Sequence, residues 1–273
     1  MATTVEPKSV AVITVVDDDI YASIKKATGL IGELDISPES RVVIKPNLCS
    51  LASAKSGATT DVRVVEAVIR ILREISPTCN ITVVESDSHG RTAEEAFLRH
   101  GYVDLERKYD VKLVNLTKDQ SIKVDELKGP PRIPIALPRT LISCDYFISI
   151  AKLKTHVFER ISCVLKNQFG CIPQKQKAAF HPYLSQILLA LNRLVRTDLC
   201  IIDGITAMEA RGPTAGITRR TNLIIVGKDP VAVDSVASRI MGITPESVPH
   251  LKYAAKHHLG DIHNIEIFGE RLS

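Results

Sequence analysis

Tyr146-Phe147-Ile148-Ser149-Ile150 is followed directly by Ala151-Lys152-Leu153-Lys154-Thr155-His156. A short, nearly continuous apolar run rich in isoleucine reads as a strand covered on both faces. The abrupt change to lysine, threonine and histidine marks the place where that strand delivers polar groups. The same pattern recurs at Val10–Val16, Arg41–Ile44, Asn80–Glu85, Val111–Leu116, Asp198–Ile202, Asn222–Val226 and Ile265–Phe268. Helical periodicity fills the intervals, at about 20–33, 61–75, 92–108, 157–168, 182–196, 231–241 and 248–258. Strands alternating with helices give an α/β fold, a mainly parallel Rossmann-like sheet with helices on both faces. Asp61 caps one helix, Asp229-Pro230 supplies a cap with proline in the first turn, and Gly242 follows the 231–241 helix.

Residues 118–139 break the rhythm with Gly129, Pro130, Pro131, Pro134 and Pro138. Apolar residues alternate around Ile122–Leu127 and Ile133–Leu137, so the segment reads as a small hairpin at an edge, where proline is tolerated. The chain is one unit over 1–273, with a bilobed arrangement of about 1–117 and 140–273 left open.

Composition narrows the function classes. Lys+Arg number 35 against 31 Asp+Glu, a dispersed balance of +4, and aromatics are 4%. That is too little positive charge and too few stacking platforms for a nucleic-acid binder. No apolar run approaches the ~20 residues of a membrane span. Val10–Val16 ends in Asp17-Asp18-Asp19, which suits a strand and not a signal peptide. Six cysteines without a Cys-x-x-Cys pair point to a reducing cytoplasm and mostly buried thiols, with Cys171 as the candidate for exposure.

Ligands of open α/β sheets bind beyond the carboxyl ends of the strands. Lys45-Pro46-Asn47, Ser86 to Arg91, Lys152 to His156, Asp203-Gly204 and Gly227-Lys228 all follow strands. Their recurrence defines a candidate cleft lined by lysine and histidine. Lys45, Asn47, Lys154 and Asp203 are the candidates for holding a ligand or cofactor. His89, His156 and Lys166 are the candidates for catalysis, and His181 for acid/base work or metal ligation. Ammonium groups supply point charge to a carboxylate or phosphate, and a partly desolvated lysine becomes a base or nucleophile. Lys166 has a plainer reading as a complement to a helix dipole. Asp87 either orients His89 or caps the helix near Thr92, and Asp203 either meets a ligand or makes a turn before Gly204. Backbone amides at Thr59-Thr60-Asp61 can hold an anion. Asp234 sits in an otherwise apolar helix and needs a partner. His250, His257, His258 and His263 read as a solvated face.

Ile44-Lys45-Pro46-Asn47-Leu48, Thr59-Thr60-Asp61, Lys152 to His156, Leu165-Lys166-Asn167, Gly170-Cys171-Ile172-Pro173, Asp203-Gly204-Ile205, Gly212 to Gly216 and Asp229 to Asp234 together resemble the domain-of-unknown-function 362 family. The resemblance spans about residues 10–260. It implies an iron–sulfur context and a ferredoxin-like redox partner, since members often carry such a module; this chain has no Cys-x-x-Cys-x-x-Cys run of its own. A second resemblance is to the catalytic domain of nickel-pincer lactate racemases. It rests on His89-Gly90-Arg91-Thr92-Ala93-Glu94-Glu95, on His156 and Lys166 ten residues apart, and on His181 as the nickel ligand; Val164-Leu165 stand where that family has paired glycines. Together these imply an enzyme for a small anionic ligand with isomerase-like or redox-linked chemistry. The cofactor would be nickel, or an iron–sulfur cluster supplied by a partner. A redox accessory protein and a non-catalytic ligand-binding module are the alternatives.

Overall fold

The computed structural model describes residues 6–124 and 135–270. The strands are β1 (Lys8–Thr14), β2 (Arg41–Pro46), β3 (Asn80–Glu85), β4 (Lys112–Asn115), β5 (Ser121–Val124), β6 (Ile135–Pro138), β7 (Tyr146–His156), β8 (Arg160–Ile161), β9 (Leu199–Glu209), β10 (Ile217–Gly227) and β11 (Ile265–Gly269). The helices are α1 (Ile20–Leu30), α2 (Val62–Ile75), α3 (Ala93–Arg99), α4 (Tyr102–Tyr109), α5 (Arg139–Ile142), α6 (Val164–Asn167), α7 (Leu184–Leu194), α8 (Pro230–Ile240) and α9 (Pro249–Lys256).

One sheet runs β11-β1-β10-β9-β7-β2-β3-β4, with β8 attached to the end of β7. Along that path β10 alone runs against its neighbours. Side chains on alternate residues are divided between two apolar layers, as the two-residue strand period demands. Ala11, Ile13, Val42, Ile44, Ile148 and Ile201 join one cluster with α1, α2 and α4. Val10, Val12, Cys200 and Ile202 face the opposite side, against α8 and α9. Val43 and Phe147 face that same side further along the sheet, against α7. Helices therefore cover both faces, and the mainly parallel α/β reading holds.

The caps read from the sequence are present. Asp61 and Asp229 accept backbone N–H groups at the starts of α2 and α8. Thr92 and Glu95 form a reciprocal cap on α3, and Gly242 has φ +68°. The helical pattern over 92–108 is divided by Gly101 at φ +80°. β5 and β6 pair antiparallel as the hairpin, while Gly129, Pro130, Pro131 and Pro134 lie outside the described residues.

A helix over 157–168 does not form. His156 Nδ1 accepts the backbone N–H groups of Phe158 at 3.2 Å and Glu159 at 3.3 Å, taking donors a helix would need. Arg160 then turns at φ +63° and the chain folds back as β8 on β7. Helix is confined to Val164–Asn167.

Candidate functional site

After β2 the chain moves outward through β3 to β4, then returns to place β7 on the other side of β2. The order of strands reverses at β2/β7, and a crevice opens beyond their carboxyl ends. β2 ends in Lys45-Pro46, β3 in Glu85 and β7 in Lys154-Thr155-His156. A cavity of about 550 Å³ lies at this edge, within the range of small-ligand sites.

Lys45, Asn47, Lys154, Lys166, His89 and His181 all line this cavity. His89 and His181 are exposed at its rim, and the His181 ring packs against Phe158 and Phe169. His156 and Asp203 are not on the wall. His156 lies behind it, 7% exposed, held through Nδ1 by the two amides that prevent the helix. Burial, reinforced by Lys166 and Lys154, pushes its pKa down to about 3. The neutral ring therefore carries its proton on Nε2. Asp203 is fully buried and bonded to Lys152 Nζ at 2.7 Å, to the Asp61 N–H at 2.8 Å and to the Ile205 N–H at 3.0 Å. Its carboxylate holds β7, β9 and the start of α2 together, and faces no ligand space.

The structure also places three nearby groups. Asp87 accepts from the Ala93 N–H and Asn115 Nδ2, so it caps α3 instead of orienting His89. The amides near Thr60 are used internally: the Asp61 N–H goes to Asp203, and the Thr60 N–H donates to the Asn47 carbonyl at 2.9 Å. His250 is buried, with Nδ1 2.8 Å from Glu159 Oε2.

The cavity walls differ in how fully their charges are matched. Lys45 Nζ donates to Glu85 Oε2 at 2.8 Å, and Arg91 stands 3.7 Å from the same oxygen. Burial alone would raise the Glu85 pKa, yet Lys45 and Arg91 hold it below the usual carboxylate value. Lys154 spends all three ammonium hydrogens, on Asn47 Oδ1 at 3.0 Å, Cys49 Sγ at 3.2 Å and the Ala58 carbonyl at 2.6 Å. Lys166 is different. Among the described residues its ammonium has no hydrogen-bonding or ion-pairing partner, only the Phe169 ring 5.5 Å from Nζ. Burial, with Lys154 nearby, lowers its pKa to about 8.

The turn that carries Lys166 is held from several directions. Asp234 on α8 accepts the Val164 N–H at 2.7 Å and the Leu165 N–H at 2.9 Å. Asn192 on α7 donates to the Leu165 carbonyl at 3.0 Å. Asn167 Nδ2 reaches the Lys45 carbonyl on β2 and Ser149 Oγ on β7, each at 3.0 Å. A free lysine thus sits on a rigid turn, the usual construction of a precise site. Asp234 finds backbone amides as its partner, and burial raises its pKa to about 7.

Glu85, Arg91, Lys177 and Cys49 also line the cavity, although the sequence did not single them out as site residues. Glu85 closes an apolar strand and Arg91 belongs to a turn that had drawn attention through His89. Lys177 lies in a polar run that reads as solvated loop. Cys171, the candidate for an exposed thiol, is buried, and burial pushes its pKa up to about 12. Cys163 and Cys200 are buried as expected. Among the described residues no group of three or more His, Cys, Asp or Glu side chains is arranged to hold a metal ion. The donor set around His181 and the dispersed thiols therefore do not fit a chelated nickel or a chain-held iron–sulfur cluster.

The family model for the domain of unknown function DUF362 matches residues 42–239, from β2 into α8, and so contains every strand end that builds the cavity. The chain belongs to this family. A relative, the Thylakoid-associated protein sll1697 of Synechocystis sp. (strain ATCC 27184 / PCC 6803 / Kazusa), is 28% identical over 232 residues, 82% of this chain and 70% of that protein. A solved structure, the lactate racemase apoprotein from Thermoanaerobacterium thermosaccharolyticum, aligns with a TM-score of 0.47 at 8% identity. The alignment covers 87% of this chain, which spans 58% of the length of that one. Among the described residues no helix is long and apolar enough to cross a membrane.

Proposed function

We propose that this family member is an enzyme that binds a small carboxylate-bearing ligand in the β2/β7 cavity and moves a proton on it. One observation carries the reading: among the described residues Lys166 is an ammonium with no hydrogen-bonding or ion-pairing partner, on a fixed turn inside a cation-lined cavity. The surrounding cations draw a carboxylate into the cavity, and a lysine that titrates near 8 exchanges its proton readily at neutral pH. Lys166 as the free amine takes a proton from the ligand, and the resulting ammonium returns it. Lys154, fully hydrogen-bonded, keeps the cavity positive and favours the amine form of Lys166. His156 stays neutral beneath the site and holds the β7–β8 turn in place.

Thermal-shift titration with lactate and pyruvate, alongside proton NMR of their carbon-bound hydrogens in D2O, tests the reading. The wild type should be stabilised by the acids and should exchange ligand hydrogen for deuterium. Lys166→Met should lose exchange by at least about a hundredfold, the usual share of a general acid–base group. Stabilisation without any exchange would leave a binding module and overturn the enzymatic claim. No stabilisation by either acid would overturn the whole reading.

A further inference from the structure

Six basic side chains, Lys45, Arg91, Lys154, Lys166, Lys175 and Lys177, line the cavity against the single carboxylate of Glu85. Glu85 is already committed to Lys45 and Arg91, so one anionic group on a ligand leaves most of this charge unmatched. The surplus is arranged around two positions.

The first position is Lys166 on its turn after β8. The second is the wall beyond β3, where Lys177 Nζ donates to Ser86 Oγ at 3.1 Å and the Asp87 carbonyl at 2.8 Å. Two of its three hydrogens are thereby used, and one remains for a ligand. Its pKa is lowered to about 8, chiefly by burial and also by Lys45 and Arg91.

A second, independent feature marks the Lys177 wall. Arg91 is 5% exposed, and its Nε, which lies on the cavity-lining turn, is buried with no hydrogen-bond partner. Ser88 Oγ on the same turn is likewise buried and unpartnered. Buried polar groups are nearly always paired, so two orphans on one turn mark the ground behind the Lys177 wall as polar and incompletely matched.

We propose that the ligand carries two separated anionic groups, a carboxylate at the Lys166 end of the cavity and a second carboxylate or a phosphate held by Lys177 beside the Ser88–Arg91 turn. This rests on the anion-binding reading and narrows its substrate class to acids charged at both ends. The shared chemistry is a short carbon acid with a terminal carboxylate or phosphoryl group.

Isothermal titration at pH 7 with lactate, malate and 3-phosphoglycerate tests it, because these share a 2-hydroxy-acid head and differ at the far end. In the wild type malate or 3-phosphoglycerate should bind at least about tenfold tighter than lactate, one ion pair's worth of affinity. Lys177→Met should bring the doubly charged ligands down to the lactate level and leave lactate unchanged. Lys177→Arg, which keeps the charge, should retain the preference and shows that the methionine effect is not misfolding. Lys166→Met should weaken all three. Which of malate and 3-phosphoglycerate gains more identifies the far group. Equal binding of lactate and the doubly charged acids in the wild type would overturn this inference while leaving the enzymatic reading intact. A preference that survives Lys177→Met would overturn it too. Failure of all three to bind would overturn the anion-binding reading beneath it.

Discussion

Lys166 is costly to the folded chain in the absence of a ligand, and the sign of that cost is measurable. Its folded-state pKa of about 8 lies below the ordinary lysine value of 10.5. Between those two values the unfolded chain binds more protons at this residue than the folded chain does. Its contribution to stability therefore rises as pH increases from about 8 to 10.5, and the full penalty is present below 8. Lys166→Met should accordingly be more stable than wild type at pH 7, by about 1–3 kcal/mol after allowance for partial exposure. Urea titrations of both proteins at pH 7, 8, 9 and 10 should show the difference shrinking as pH rises. A methionine variant that is less stable at pH 7 would mean that the ammonium is well matched in the folded protein. At this scale the sequence was partly legible: Lys45, Lys154 and Lys166 stood out because they follow strands. Nothing in a linear order distinguishes the lysine whose hydrogens are spent on Asn47, Cys49 and Ala58 from the lysine left free.

At the scale of elements, β7 depends on lysines that look equivalent in sequence and act differently. Lys152 and Lys154 sit two residues apart on one strand and point to the same side. Lys152 closes an ion pair with Asp203 on β9, both at most 1% exposed. Removing one partner leaves a buried charge unmatched, so Lys152→Met should cost about 3–5 kcal/mol. A double-mutant cycle with Asp203→Asn, read by urea unfolding, should return a coupling of roughly 1–3 kcal/mol. A coupling near zero would mean that Asp203 is held by its two backbone amides alone. The pair Lys25–Glu74, nearly as short at 2.8 Å but about half exposed, is screened by water and contributes little. The missed helix over 157–168 belongs to this scale as well. Its apolar spacing was adequate, but the His156 ring takes the amides of Phe158 and Glu159, a local bond that periodicity cannot register.

The whole molecule is organised around one continuous sheet. β1, at the start of the chain, registers with β10 on one side and β11 on the other, both more than 200 residues later. The far edge, β2-β3-β4, comes from the first half, and β7 and β9 from the second. A fragment ending at residue 117 would leave β1 without either neighbour. We expect urea unfolding of the full chain, followed by far-UV circular dichroism and by tyrosine fluorescence, to give one coincident transition, and residues 1–117 alone to remain unfolded. Two separate transitions, or a folded fragment, would instead establish two lobes. The same connectivity makes the cavity, because the return of the chain from β4 to β7 sets the strand ends of both halves side by side.

By itself the sequence determined the alternation of covered strands and helices, most helix caps, the family, and the strand ends from which the site is drawn. Those properties are local: each follows from side-chain period, cap chemistry or motif within about twenty residues. Only the tertiary structure decided which charges meet. It matched Lys152 with Asp203 and Lys45 with Glu85, buried His250 and Cys171, and brought Lys177 to the wall beyond β3. Among the described residues it left Lys166 without a hydrogen-bonding or ion-pairing partner. Ion pairing depends on three-dimensional proximity and desolvation, and residues 40 to 91 positions apart acquire both only when the sheet has formed.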